Sequence, residues 1–278
     1  MDQKITSPER LEFFMNNSMQ YNFHTHTFRC HHATGTDREY VECAIKAGIK
    51  TLGFSDHVPY PYLHGYPSTV RMDMDDTSDY VTSIRALAAE YKDDIQIFVG
   101  FEAEYLRDYW ADLHDLLLPY DIDYLILGQH FLHSELDGSY SGAPDADEAK
   151  LKEYVDLVIK ALNTGNFTYL AHPDLINFTG SDEIYNKHMT RLCLEAKRLS
   201  IPLEINFCGY LNRRHYPSRR FFALAASLGN DFVFGRDAHT PDVFLDEATY
   251  NGCSVLAEEC GISLLPEVTL RKPFLNNR

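Results

Sequence analysis

An α/β barrel built from seven strand–helix units is the fold that this 278-residue chain predicts. Apolar runs alternate with segments of helical periodicity, which implies βαβ units, parallel pairing and right-handed crossovers. Six of the seven strand-like segments end in a histidine or a carboxylate. Such residues at nearly every strand end suit a barrel, whose active face is built from the loops after its strands. An open doubly wound sheet would gather them at one switch point.

The elements follow in order. Tyr21 to His26 reads as the first strand, and Asp37 to Ala47 as a helix with Val41, Ala44 and Ile45 on one face, ended by Gly48. Lys50 to Ser55 is the second strand. A loop rich in Pro and Tyr runs to about Asp76, where an Asp/Ser-rich start opens a helix through Tyr91. Ile95 to Tyr105 is the third strand, Tyr109 to Leu118 a helix, Tyr124 to Phe131 the fourth strand, and Ala146 to Leu162 a helix. Thr168 to His172, Pro202 to Phe207 and Asp231 to Asp237 are strands five to seven, separated by helices over 184–199 and 219–228. Nothing reads as a flexible linker, so residues 1–278 are expected to form one domain.

An apolar share of 45% is ordinary for a chain with a full core. No apolar run approaches the roughly 20 residues that cross a bilayer, and the polar first residues suggest no secretion signal. The six cysteines, Cys30, Cys43, Cys193, Cys208, Cys253 and Cys260, show no C-x-x-C spacing and lie in apolar or helical surroundings. They read as free thiols of a reducing cytoplasm. Lys and Arg total 25 against 41 Asp and Glu, a net charge of −16 that repels polyanions and disfavours a nucleic-acid partner. No oligomeric state follows from the sequence.

Residues two apart on a strand share a face, so His24 and His26 can converge on one ion. His57 follows the second strand, Glu102 and Glu104 share a face of the third, His130 follows the fourth, His172 the fifth, and Asp237 with His239 the seventh. His32, beside His31, lies in the first loop. A lone strand-end histidine reads better as a hydrogen-bonded core or surface residue. Repetition favours ligands, because 13 histidines in 278 residues put His at a given position only about once in twenty. Nitrogen and oxygen donors suit Zn, Mn or Fe, and the absence of Cys argues against a closed structural zinc site. So many donors exceed the needs of one ion and imply two or three divalent metals bridged by a carboxylate. Asp56 points away from His57 and reads as a partner behind a ligand. His64, His114, His133, His188 and His215 lack strand-end placement and read as ordinary.

The runs His24-Thr25-His26, His31-His32-Ala33, Ser55-Asp56-His57, Gly100-Phe101-Glu102, Gly128-Gln129-His130, Ala171-His172-Pro173 and Arg236-Asp237-Ala238-His239 resemble the polymerase and histidinol phosphatase (PHP) family. Within it, the chain length and the segments Ala171-His172-Pro173-Asp174 and Gln129-His130-Phe131-Leu132 look most like the monofunctional histidinol-phosphate phosphatases. The resemblance implies a distorted barrel of seven β/α units. It also implies three metal positions: His24, His26, Glu102 and Asp237 at the first; bridging Glu102 with His130 and His172 at the second; His32, His57 and His239 at the third. The bridging acid follows Gly-x, which selects Glu102 over Glu104, and His32 stands directly before Ala33 as the family's ligand does. Arg236 departs from the pattern, which has a small residue before the Asp. It faces either the barrel exterior or substrate.

The expected activity is hydrolysis of L-histidinol phosphate to L-histidinol and phosphate. Divalent cations clamp the phosphate and lower the pKa of a bridging water, whose hydroxide attacks in line. Glu102, Asp237 and His239 are the expected catalytic groups, Asp237 or a nearby histidine moving the leaving-group proton. Arg213 and Arg214, after the sixth strand, are candidates for a bidentate phosphate contact, and Asn206 at that strand's end for substrate binding. Acids and aromatics for the ammonium and imidazole are many and individually weak: Glu135, Asp137, Asp145, Asp174, Tyr60, Tyr62 and Tyr66. A related phosphoesterase acting on nucleotides or 3′ termini, and a non-catalytic metal-bearing module, are the alternatives.

Overall fold

Each strand pairs with the next one along the chain. The computed structural model describes residues 19–62, 65–138 and 140–274. Within them one parallel sheet runs in the order β1 (Tyr21–Asn22), β2 (Thr51–His57), β3 (Gln96–Ala103), β4 (Tyr124–Leu127), β5 (Phe167–Leu170), β6 (Leu203–Asn206) and β7 (Phe232–Gly235). The crossover helices are α1 (Asp37–Lys46), α2 (Thr77–Glu90), α3 (Trp110–Leu117), α4 (Glu148–Leu162), α5 (Asp182–Arg198), the short α6 (Phe207–Leu211) and α7 (Arg219–Ser227), with α8 (Glu247–Glu259) after β7. Side chains hold their first turns: Thr36 and Glu39 form a capping box on α1, and Asp147, Ser181, Ser218 and Asp246 cap α4, α5, α7 and α8. None of the described helices is long and apolar enough to cross a membrane.

Backbone bonds close the ring between its first and last members. His26 N–H donates to Ala238 O at 2.9 Å, and Ala238 N–H donates to His24 O at 3.2 Å. The result is the (β/α)7 barrel that the sequence predicts, and its pairing is uneven. Whereas β2 and β3 pair from Thr51 with Gln96 through His57 with Glu102, β5 meets β6 only at Leu170 and Leu203, and the β4–β5 register shifts between Leu125 and Leu127.

Alternation along the strands splits the apolar residues into two layers. Phe23, Tyr124, Ile126, Tyr169, Ala171 and Val233 fill the barrel. Strand residues such as Phe54, Phe101, Leu127, Ile205 and Phe234 pack outward with helix residues such as Tyr40, Ile84, Leu113, Val158 and Phe222. Tyr124 crosses the interior and shares its hydroxyl proton between Phe23 O at 2.9 Å and Phe54 O at 3.0 Å, which satisfies the one polar atom it buries. Leu265, Val268 and Leu270 pack against the interior layer from the end opposite the histidines. Leu265 is tied on both sides, its N–H donating to Phe232 O at 2.9 Å and its carbonyl accepting from Tyr21 Oη at 2.7 Å.

Three features differ from the sequence expectation. Strands one and three to seven end earlier than predicted, whereas strand two runs on to His57, because where the ladder ends depends on the register with the neighbouring strand. The α6 turn and α8 carry no clear helical signature; in α8, Gly252 interrupts the pattern because the Tyr210 ring occupies the space of any side chain there. The role of residues 264–274 was likewise not foreseen. Gly235 is a further close approach: a Cβ at this position would overlap the Glu204 carboxylate. Gly235→Ala is therefore expected to destabilise the protein by about 1–3 kcal/mol. Urea unfolding measures this, and an unchanged midpoint would contradict the packing.

Candidate metal centre

Only His57 and Glu102 among the candidate ligands lie inside strands. His24, His26, His130, His172, Asp237 and His239 stand just past strand ends over the barrel mouth, and His32 comes from the loop between β1 and α1. His172 and Asp237 take left-handed backbone angles, with φ of 29° and 48°, which for such residues costs on the order of 1–3 kcal/mol and is typical of functional sites. All but His32, His130 and His239 of the candidate ligand side chains are buried.

Glu102 lies at the centre. Its Oε1 is 2.7 Å from His172 Nε2 and 3.5 Å from His130 Nε2; its Oε2 is 3.1 Å from His57 Nδ1, 3.4 Å from His24 Nε2 and 3.6 Å from His26 Nε2. Asp237 Oδ1 is 3.0 Å from His26 Nε2, 3.4 Å from His239 Nδ1 and 3.5 Å from His24 Nε2. His32 Nε2 meets His239 Nε2 at 2.9 Å. Groups whose donor atoms lie within 4.8 Å of one another include His24 with His26 and Asp237, His24 with Glu102 and His172, His26 with His57 and Glu102, and His32 with His57 and His239.

Hydrogen bonds on the outer ring nitrogens settle which lone pairs face inward. Nδ1 of His32 lies 2.7 Å from Cys30 O and Nδ1 of His239 lies 3.0 Å from Asp237 O. A carbonyl only accepts, so both Nδ1 atoms carry protons and both Nε2 atoms point lone pairs at each other. That contact is repulsive unless a cation or proton sits between them. His24 Nδ1 likewise faces Glu204 Oε1 at 2.8 Å, leaving Nε2 for the centre. His24 Nε2, His26 Nε2 and Glu102 Oε2 are buried without a hydrogen-bond partner. Orphaned, converging N and O donors fit divalent transition metals.

Titration behaviour agrees. Burial depresses the His24 and His26 imidazoles, yet neighbouring carboxylates outweigh it, raising His24 well above its ordinary value and His26 to about 9. Burial disfavours ionised Glu102 and Asp237 too, but the surrounding histidines hold both well below the usual carboxylate range. Burial and then His26 depress His57 well below its ordinary value and His239 to about 3. The centre thus holds strong negative potential and attracts cations, protons among them.

Behind the inward ring lies a set of supporting groups. Glu204 accepts from His24, from His172 N–H at 3.0 Å and from Asn206 Nδ2 at 2.9 Å. Sequence reasoning missed it; the signal was an acid inside the otherwise apolar run Pro202 to Phe207, on the same face as Asn206. Asp56 stands 3.4 Å from His26 Nδ1 and accepts from Thr27 N–H and His57 N–H, as a partner behind a ligand would. Glu104 does not join the Glu102 centre but lies behind it, between Arg71 and His130 Nδ1.

Several other expectations change. Asn206, expected to bind substrate, is instead fully buried with its polar atoms committed: Nδ2 donates to Glu204 and Asp237, and Oδ1 accepts from Gly209 N–H at 2.8 Å. Arg236 faces outward from the barrel, its Nη1 donating to Val243 O and its guanidinium lying over Phe207 and Phe244. Cys30 is not remote from the centre, since its Sγ lies within reach of His26 and His239; burial and Asp56 raise its pKa and keep it a neutral thiol. Arg213 and Arg214 are both exposed; Arg214 donates to Tyr140 Oη at 3.4 Å, and its pKa is raised chiefly by Tyr216 and in smaller part by Asp237. Among the histidines read as ordinary, His188 bonds Glu148 and His215 bonds Leu175 O; His64 lies outside the described residues.

A family model described as "PHP domain" matches residues 22–206. A Deinococcus radiodurans protein named "Probable histidinol-phosphatase" is 30% identical over 227 residues, covering 78% of this chain and 85% of that one. The Bacillus subtilis protein named "Histidinol-phosphatase" is 32% identical over 139 residues, 48% of this chain and 50% of that one. The solved histidinol phosphate phosphatase of Lactococcus lactis, complexed with zinc, L-histidinol and phosphate, shares the fold. Its TM-score is 0.66 at 18% identity, over 88% of this chain and 95% of that one.

Glu204 offers a direct check on the supporting groups. Glu204→Gln replaces one acceptor oxygen with a donor that must face His24 Nδ1–H or the N–H groups of His172 and Asn206. Metal affinity is expected to fall about 10–100-fold, read by titration against a chromophoric chelator; an unchanged affinity would refute the assigned orientation of His24.

Proposed function

This chain belongs to the PHP domain family, and from that premise we propose that it is a metal-dependent phosphomonoesterase hydrolysing L-histidinol phosphate to L-histidinol and phosphate in histidine biosynthesis. The observation that carries the reading is the convergence of orphaned nitrogen and oxygen donors on the barrel mouth. The names of the relatives at 30% and 32% identity support the substrate. In this reading the chain acts as one domain, and its six free cysteines suit the cytoplasm.

Three positions are proposed for zinc, manganese or iron: His24, His26, Glu102 and Asp237 at the first, Glu102, His130 and His172 at the second, and His32, His57 and His239 at the third. When bound, such ions supply Lewis acidity to phosphate oxygens and a nucleophilic hydroxide near neutral pH. The protein's own groups do the rest. Glu102 offers one oxygen to each side of the centre. Glu204 and Asn206 hold His24 and Asp237 in place. Arg214, on the loop after β6 and within electrostatic reach of Asp237, is proposed to hold the substrate phosphate, with Arg213 beside it. His239, half-buried at the rim beside Asp237, is proposed as a ligand through Nε2, and Asp237 is proposed to relay the proton to the departing alkoxide. Bound cations also offset the net charge of −16, which would otherwise repel a phosphate monoester.

Phosphate release measured across L-histidinol phosphate, sugar phosphates and nucleotide monophosphates is expected to favour L-histidinol phosphate. Preference for a nucleotide would overturn the substrate, and no release from any compound by metal-loaded protein would overturn the enzyme. Elemental analysis of protein saturated with metal should find more than one transition metal per chain; a plateau at one would contradict the multinuclear assignment.

A further inference from the structure

The long loop after β2 ends in an unusual side chain. Arg71 is only 2% exposed, the largest of the fully buried side chains. Four hydrogen bonds hold it: Nε donates to Glu135 at 2.7 Å, Nη1 to Val58 O at 3.2 Å and to Glu104 Oε2 at 3.2 Å, and Nη2 to Glu104 Oε1 at 3.0 Å. Its guanidinium also lies over the rings of Tyr60 and Tyr62 at 5.3 Å and 5.9 Å. One cation thereby joins the loops that follow β2, β3 and β4.

Glu104 turns this arrangement toward the metal centre. Its Oε1, already accepting from Arg71, lies 3.3 Å from His130 Nδ1. With the carboxylate ionised against Arg71, His130 Nδ1 is the donor and its Nε2 lone pair faces inward, 3.5 Å from Glu102 Oε1. Glu204 behind His24 and Asp56 behind His26 make similar bonds. Of these three supporting acids, Glu104 alone has an arginine ion pair among the described residues. The arginine matters because its fork holds both Glu104 oxygens and so fixes the carboxylate with Oε1 turned to His130 Nδ1. Without that fork the carboxylate is free to turn away from the His130 ring.

We propose that Glu104 is a positioning residue for His130, and that Arg71 enables it, so that the Tyr60–Tyr62 loop is coupled to metal retention on the His130 side of the centre. The inference rests on the reading of His130 as a ligand, but not on the identity of the substrate.

The test is zinc titration of the full chain against a competing chromophoric chelator, with His130→Ala marking which metal equivalent depends on that ring. Glu104→Gln cannot accept from Arg71 and His130 on both atoms, because one becomes an amide donor. It is expected to weaken the His130-dependent equivalent about 10–100-fold and leave the others as they are. Arg71→Met should weaken the same equivalent, and Arg71→Lys should recover part of the loss, since Lys keeps the charge without the fork. Unchanged affinity in both Glu104→Gln and Arg71→Met would overturn the proposal. Equal weakening of every equivalent would also overturn it, because the effect would then be on the fold and not on His130. A protein that passes this test yet prefers another phosphate ester would lose the substrate assignment and keep the positioning role.

Discussion

The structure depends on a single buried carboxylate. Glu102 has five imidazoles within 3.6 Å of its two oxygens, supplied by segments that follow or end four different strands. A carboxylate buried at this depth without partners would be expensive, and so would the imidazoles without it. The barrel makes the arrangement possible by bringing parallel strand ends to one rim. Gly128 makes room for it, because any side chain there would overlap the Glu102 carboxylate. The residual mismatch, lone pairs facing lone pairs, is what a cation resolves.

Much of this was legible in the sequence because both signals are local. Strand and helix periodicity gave the order of elements, and His24, His26, His57, Glu102, His130, His172, Asp237 and His239 stand at or near strand ends where a pattern of residue types is visible. The groups that orient them were harder to read. Glu204 pairs with His24 across 180 positions and Arg71 with Glu104 across 33. Neither pairing leaves a spacing signature, and only the register of the assembled barrel brings the partners together. Asn206 shows the limit from the other side. A polar residue at a strand end predicts function, but its neighbours decide whether it faces substrate or, as here, braces Asp237 and caps a helix.

The donors fall into an inner ring that faces the centre and an outer ring of acceptors that fixes ring orientation. Backbone carbonyls serve His32 and His239 at the exposed rim, whereas carboxylates serve the buried His24 and His26. The division follows the local dielectric. A buried carboxylate strengthens the basicity of the imidazole it accepts from, and the effect is largest where water is excluded. The rim pair, supported by neutral oxygens, makes the softer end of the centre and lies next to the arginine-bearing loop after β6.

The seam between β1 and β7 sets the timing of assembly. Residues 24–26 and 238 join it at one end, and Tyr21 with Leu265 at the other, so each stitch spans more than 200 positions. The donors His24 and His26 emerge from synthesis early, but Asp237 and His239 follow only after almost all the intervening chain. Contacts of such long range form late, since their loop-closure entropy must first be offset by nearer ones. A growing chain therefore exposes several histidines long before it can enclose an ion among them. The space among these donors is among the last parts of the molecule to take shape.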